Sequence, residues 1–124
     1  MSEGTRFDLE ERLVKFSVMV ISLAESLEDS MAGKYIAGQI IRSCISPALN
    51  YGEAKSAEST NDFIHKMKVA LKELRETFIS LQIIGTKPLT KKDELLSQCI
   101  KEANELISIF VKSIQTAVKN KSTK

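Results

Sequence analysis

Leu9, Leu13, Phe16, Val20, Leu23 and Leu27 recur at alternating steps of four and three, the spacing that puts side chains on one face of a helix. Three further stretches repeat the pattern. Ile36, Ile40, Ile41, Cys44, Ala48 and Tyr51 mark a second, and Ile64, Met67, Leu71, Leu74, Phe78 and Leu81 a third, the most regular heptad in the chain. Leu96, Cys99, Ala103, Leu106, Phe110, Ile114 and Ala117 mark a fourth, with Ile100, Ile107, Val111 and Val118 as a flank. The predicted helices cover about 8–28, 32–55, 60–84 and 91–119. No strand-like alternation persists and no internal repeat is evident. Connections near 29–32, 56–59 and 85–90 are short, which favours antiparallel neighbours and predicts an all-α, antiparallel up-down-up-down four-helix bundle.

The start signals agree with this division. Asp8 with Glu11, Ser59 with Asp62 and Thr90 with Asp93 read as capping pairs for the first, third and fourth helices. Gly85 stands where the third helix is expected to close, and Pro88 follows. Pro47 lies well inside the second helix, lacks an amide hydrogen and crowds the Ser43 carbonyl, so the helix either kinks or ends there. Gly38 and Gly52 weaken the same helix by about 1 kcal/mol each relative to Ala. They are either tolerated imperfections or positions of close packing.

A chain of 124 residues suits one domain, residues 1–124, and folds without a metal or disulfide staple. With 43% hydrophobic and 27% charged residues it has the balance of a globular protein, and only two Pro and five Gly leave room for few, long elements. Val14, Val18 and Ile21 widen the first stripe, as the flank widens the fourth. Stripes of that width exceed the face one bundle core uses, so self-association is expected, with a bundle that is merely thick in the middle as the alternative.

Cys44 and Cys99 both fall on apolar helical positions, as expected of free thiols in a reducing cytoplasm. The apolar run 18–23 is too short to cross a membrane, and the first eight residues do not read as a signal peptide. Catalytic constellations are missing. His65 is the only histidine, so neither a two-His metal site nor a di-iron bundle can form within one chain. There is no C-x-x-C, no Gly-rich phosphate loop and no G-x-S-x-G. An Arg placed four to six residues before His65, as helical-bundle RNases use, is also missing: 59–61 are Ser, Thr and Asn. The expectation is a protein that is not an enzyme, with no cofactor, no metal and no small-molecule substrate. His65 reads as a surface or groove residue, with a ligand contact as the alternative.

Charge is uneven. Residues 1–62 hold 6 Lys/Arg against 10 Asp/Glu, and residues 63–124 hold 12 against 6. Lys66, Lys68, Lys72, Arg75, Lys112 and Lys119 form a candidate basic patch for RNA or a nucleoprotein. Lys119, Lys121 and Lys124 are a basic tail, either a solvated helix end or a phosphate-attracting arm.

The stretch from Asn50 to Thr77 carries a family resemblance. Asn50-Tyr51-x-Glu53-Ala54, Ala57-Glu58-Ser59, Asp62-Phe63-Ile64-His65-Lys66 and Ala70-Leu71-Lys72-Glu73-x-x-Glu76-Thr77 keep one register of polar and apolar positions. It resembles the bacterial 23S rRNA intervening-sequence proteins, also called the S23 ribosomal protein family. The resemblance implies an antiparallel bundle assembled into small rings, typically homopentamers. A similar fold serves as a basic accessory protein of retroelements, working with a reverse transcriptase and its template RNA. Asn50, Tyr51, Glu53, Ser59, Asp62, Phe63, Lys66, Lys72, Glu73 and Glu76 are thereby the candidate motif, for fold and assembly or for a partner. Read physically, Ser59 can cap the third helix and Asn50 can bond a backbone group near the kink.

Overall fold

The computed structural model describes residues 8–122, and among these it contains four helices and no strand. They are α1 (Leu9–Ala24), α2 (Met31–Lys55), α3 (Thr60–Thr86) and α4 (Asp93–Ser122). Each helix packs against its neighbours in sequence, and α1 also meets α4, so the four enclose one core. Cross-helix bonds fix direction. Lys55 reaches Glu10 while Ser17 reaches Cys44, and Ser43 meets Thr77 while Glu53 meets Lys66. Within each pair of helices one number falls as the other rises, so α1–α2 and α2–α3 run antiparallel.

The apolar stripes become the core. Leu13, Phe16, Val20, Leu23, Ile40, Met67, Leu74, Leu81, Leu106 and Phe110 are fully buried. Among the described residues no helix is long and apolar enough to cross a membrane.

Ends are set by local chemistry. Asp8 accepts from Glu11 N and Ser59 from Asp62 N, and Ser30 caps α2 by accepting from Gly33 N. Three expectations need correction. α1 stops at Ala24, not near 28, because Ser26 Oγ takes the Leu23 carbonyl at 2.6 Å and Glu28 N donates to Leu89 O in the neighbouring turn. Gly85 does not close α3. The helix runs through it to Thr86, and the bare Cα admits Leu96, whose Cδ2 would lie 3.2 Å from an added Cβ. Thr90 does not cap α4, which begins at Asp93; its hydroxyl accepts from Lys92 N and bonds Ser26 Oγ, tying the two turns together.

α2 continues through Pro47. Pro47 leaves the Ser43 carbonyl without its ladder donor, and at the adjacent carbonyl Ser17 Oγ bonds Cys44 O at 2.9 Å while also lying 3.0 Å from Leu13 O. α1 thus braces α2 beside its proline. α4 extends past the expected end at 119, and Lys119 and Lys121 lie in its last turn, where cations suit the helix dipole. Lys124 is outside the described residues.

Candidate functional site

Most of the candidate motif is spent joining α2 to α3. Asn50 Nδ2 donates to Ser46 O at 3.0 Å and to Ser46 Oγ at 3.1 Å, beside Pro47. Tyr51 meets Phe110 edge-on at 6.2 Å, and Lys55 Nζ sits 5.4 Å from the Tyr51 ring centre. Glu53 accepts from Lys66 Nζ at 2.6 Å across the turn. Ser59 and Asp62 form the cap, and Phe63 packs on the core. Glu73 and Glu76 each accept from one guanidinium nitrogen of Arg42 at 3.1 Å. Of the charged residues in the motif, Lys72 alone is exposed with no ion pair among the described residues.

The basic patch divides differently from expectation. Lys66 belongs to the α2 side, held by Glu53, and so leaves the patch. Lys68, Lys72 and Arg75 are exposed on α3, spaced by four and three residues, and Lys112 is exposed on α4. None of these four is in an ion pair among the described residues. Lys119 lies seven residues beyond Lys112, on the same side of α4.

Two arginines explain why this side is cationic. Arg12 of α1 bonds Glu102 at 2.6 and 2.9 Å and Glu105 at 2.6 Å. Arg42 of α2 holds Glu73 and Glu76. These four are all the carboxylates of α3 and α4 outside the first helical turns, and both arginines lie on other helices. The hydrogen bond to Glu102 raises the Arg12 pKa against the opposing effect of partial burial, and the bond to Glu73 raises that of Arg42. Neither arginine was singled out in the sequence. Their signal was there: Glu73/Glu76 and Glu102/Glu105 are acid pairs three residues apart, each wanting a cation from a neighbouring helix.

A second surface is apolar. Val14 and Val18 of α1 are exposed, the latter by 58%, and Leu49 of α2 by 62%. Gly38, Ile41, Ile45, Leu49 and Gly52 recur at steps of three and four along α2. Ser17, between the two valines, bonds Cys44, between Ile41 and Ile45, so the rows lie side by side. An added Cβ at Gly38 or Gly52 would meet nothing within 4 Å. Of the expected surplus on α4, Ile100 and Ile107 pack on the core, whereas Val118 is exposed. Tyr35, Ile79 and Ile83 are exposed apolar residues that the stripes did not reveal.

Cys44 and Cys99 are buried free thiols, and His65 is exposed. No group of three His, Cys, Asp or Glu side chains comes together as a metal site among the described residues.

With this geometry in place, the family model described as 23S rRNA-intervening sequence protein matches residues 7–112. The chain belongs to that family. Similarity to a 23S rRNA-intervening sequence protein thus extends well beyond the Asn50–Thr77 motif, into α1 and most of α4. Among solved structures, a protein of unknown function from the S23 ribosomal protein family of Bacteroides thetaiotaomicron VPI-5482 is similar at 29% identity. The match has a TM-score of 0.75 and covers 86% of this chain and 98% of that one. Among curated proteins, none matches the chain.

Proposed function

We propose that this chain is a non-enzymatic, cytoplasmic, homo-oligomeric bundle that acts as an assembly or adaptor scaffold. The observation that carries the reading is the apolar α1–α2 face. Val14, Val18 and Leu49 are presented to water with half-buried Ile41 and Ile45 between them, on the outside of a bundle whose core is already closed. Contiguous apolar surface of this kind on a small domain marks an interaction site. Bare backbone at Gly38 and Gly52 would let a second copy approach closely. The family resemblance makes a ring of five the expected number.

Light scattering after size exclusion tests this directly. The expected result is a discrete mass near five protomers of 13.8 kDa, unchanged by salt, and a shift to monomer for the Val18→Glu, Leu49→Glu double variant. A wild-type monomer at tens of micromolar would sink the reading.

The second reading is an RNA- or nucleoprotein-binding module of the intervening-sequence or retroelement-accessory type. Its support is the withdrawal of four carboxylates by Arg12 and Arg42, which leaves Lys68, Lys72, Arg75 and Lys112 unopposed. Nucleic acid that copurifies and is removed by salt would favour it, since phosphate contacts weaken steeply as counterions compete. A ring would multiply a modest patch by repetition.

A further inference from the structure

The α3–α4 side lies across the bundle from the α1–α2 face, because α1–α2, α2–α3, α3–α4 and α1–α4 are the pairs in contact. On α3, Lys66, Glu73, Glu76 and Thr77 mark the flank bonded to α2. Lys68, Lys72 and Arg75 stand on the other flank, toward α4. On α4, Glu102 and Glu105 mark the flank bonded to α1. Asn104, Ser108, Lys112 and Gln115 recur at steps of four, four and three, exposed on the side turned toward α3. Two straight rows therefore border one outer face, one cationic and the other mostly of amides and hydroxyls. At 1.5 Å per residue, Lys68 to Arg75 spans about 10 Å along the axis.

We propose that this face docks the backbone of an A-form RNA duplex and reads its shape, not its bases. The inference rests on the RNA-binding reading above and names the kind of RNA. Single-stranded RNA is held by stacking bases on exposed aromatic rings. Among the described residues no Phe or Tyr ring stands on this face: Phe63, Phe78 and Phe110 are turned into the core, and Tyr35 and Tyr51 belong to α2. The exposed His65 imidazole, seven residues before Lys72, is one small ring and not a row on which successive bases could stack. Sequence-reading of duplex DNA needs an element that enters the major groove, whereas two packed helices present a broad, shallow face. The minor groove of an RNA duplex is wide and shallow and displays 2′-hydroxyls. Asn104, Ser108 and Gln115 supply groups that can bond those hydroxyls, and the α3 cations meet the flanking phosphates. A protein partner fits the cationic stretch less well, because it has no buried aromatic or apolar anchor; beyond Arg75 the row turns apolar only at Ile79.

Fluorescence anisotropy on the full chain tests this with labelled probes of about 20 base pairs or nucleotides, enough to cross successive minor grooves. The probes are an RNA duplex, a DNA duplex of the same sequence and each RNA strand alone. The expected result is RNA-duplex affinity at least tenfold above that of either strand or the DNA duplex, and little dependence on sequence. A Lys68→Gln, Lys72→Gln, Arg75→Gln variant with unchanged helicity and solution mass should flatten the slope of log affinity against log salt by about two to three. Equal or tighter binding of single strands overturns the duplex assignment while leaving the RNA-binding reading intact. Equal binding of the DNA duplex overturns A-form selection. Wild-type affinity in the triple variant overturns the choice of face. Failure to bind any probe removes both this inference and the reading it rests on.

Discussion

At Gly33 the missing side chain leaves room for a carbonyl: an ideal Cβ there would stand 2.1 Å from Glu28 O, and the residue's own amide donates to Ser30. Backbone cannot move aside as a side-chain end can, so Gly33→Ala should destabilise the bundle by about 1–3 kcal/mol, as overpacking does. Urea unfolding followed by circular dichroism would measure it, and an unchanged midpoint would refute the tight turn. The two thiols give a different residue-scale test. Burial pushes Cys44 up to about 12 and Cys99 up to about 11, from an ordinary 9.0. A thiol is neutral when protonated, so the unfolded chain gives up these protons first. Their contribution to stability is complete below about pH 9 and is lost as pH rises toward 11–12. At pH 8 a disulfide reagent should label the native protein far more slowly than the denatured protein, since the thiolate is the reacting form. Equal rates would mean the thiols are reachable.

Among elements, α2 carries the most contradictory sequence, and its neighbours resolve the contradiction. Pro47 leaves a gap in the ladder, and bonds from Ser17 and between Ser43 and Thr77 brace that turn from α1 and α3. Gly38 and Gly52 gain nothing from those neighbours. In an isolated bundle, Gly38→Ala and Gly52→Ala should each stabilise by roughly 0.5–1 kcal/mol, because Gly costs a helix interior about that much. If a second copy packs on the bare backbone, the same substitutions should instead lower the assembled mass. Thermal melts at two protein concentrations, read beside light scattering, separate these outcomes. The thin α1–α4 seam depends on Arg12, whose side chain is only 28% exposed against 21% for Glu102. A double-mutant cycle between Arg12→Ala and Glu102→Ala should return a coupling of roughly 1 kcal/mol, toward the upper end for exposed pairs. A coupling of zero would mean the seam is held by packing alone.

For the whole molecule, the two-sided surface is the result that matters. One long side is apolar and the opposite side is cationic, so burying the first in an assembly would turn the second outward. The melting temperature of the wild type should then rise with protein concentration, while that of the Val18→Glu, Leu49→Glu variant should not. A concentration-independent melt for both would argue against assembly. The helices and their order were legible from the sequence, because three-and-four spacing and side-chain caps at Asp8 and Ser59 are local properties of the chain. The family was legible from Asn50 to Thr77 for the same reason, since that motif is the α2–α3 turn and the helix ends that frame it. Lys72 and Lys66 look alike in sequence, yet only packing decided that Glu53 would hold one while the other faced water. Likewise, the flanks of α1 and α4 are equally apolar as strings, but Ile21 and Ile107 pack on the core while Val18 and Val118 face water. Periodicity fixes which side of a helix is apolar; which neighbour lies over that side, and which carboxylate a given arginine reaches, depends on contacts between residues up to 93 positions apart.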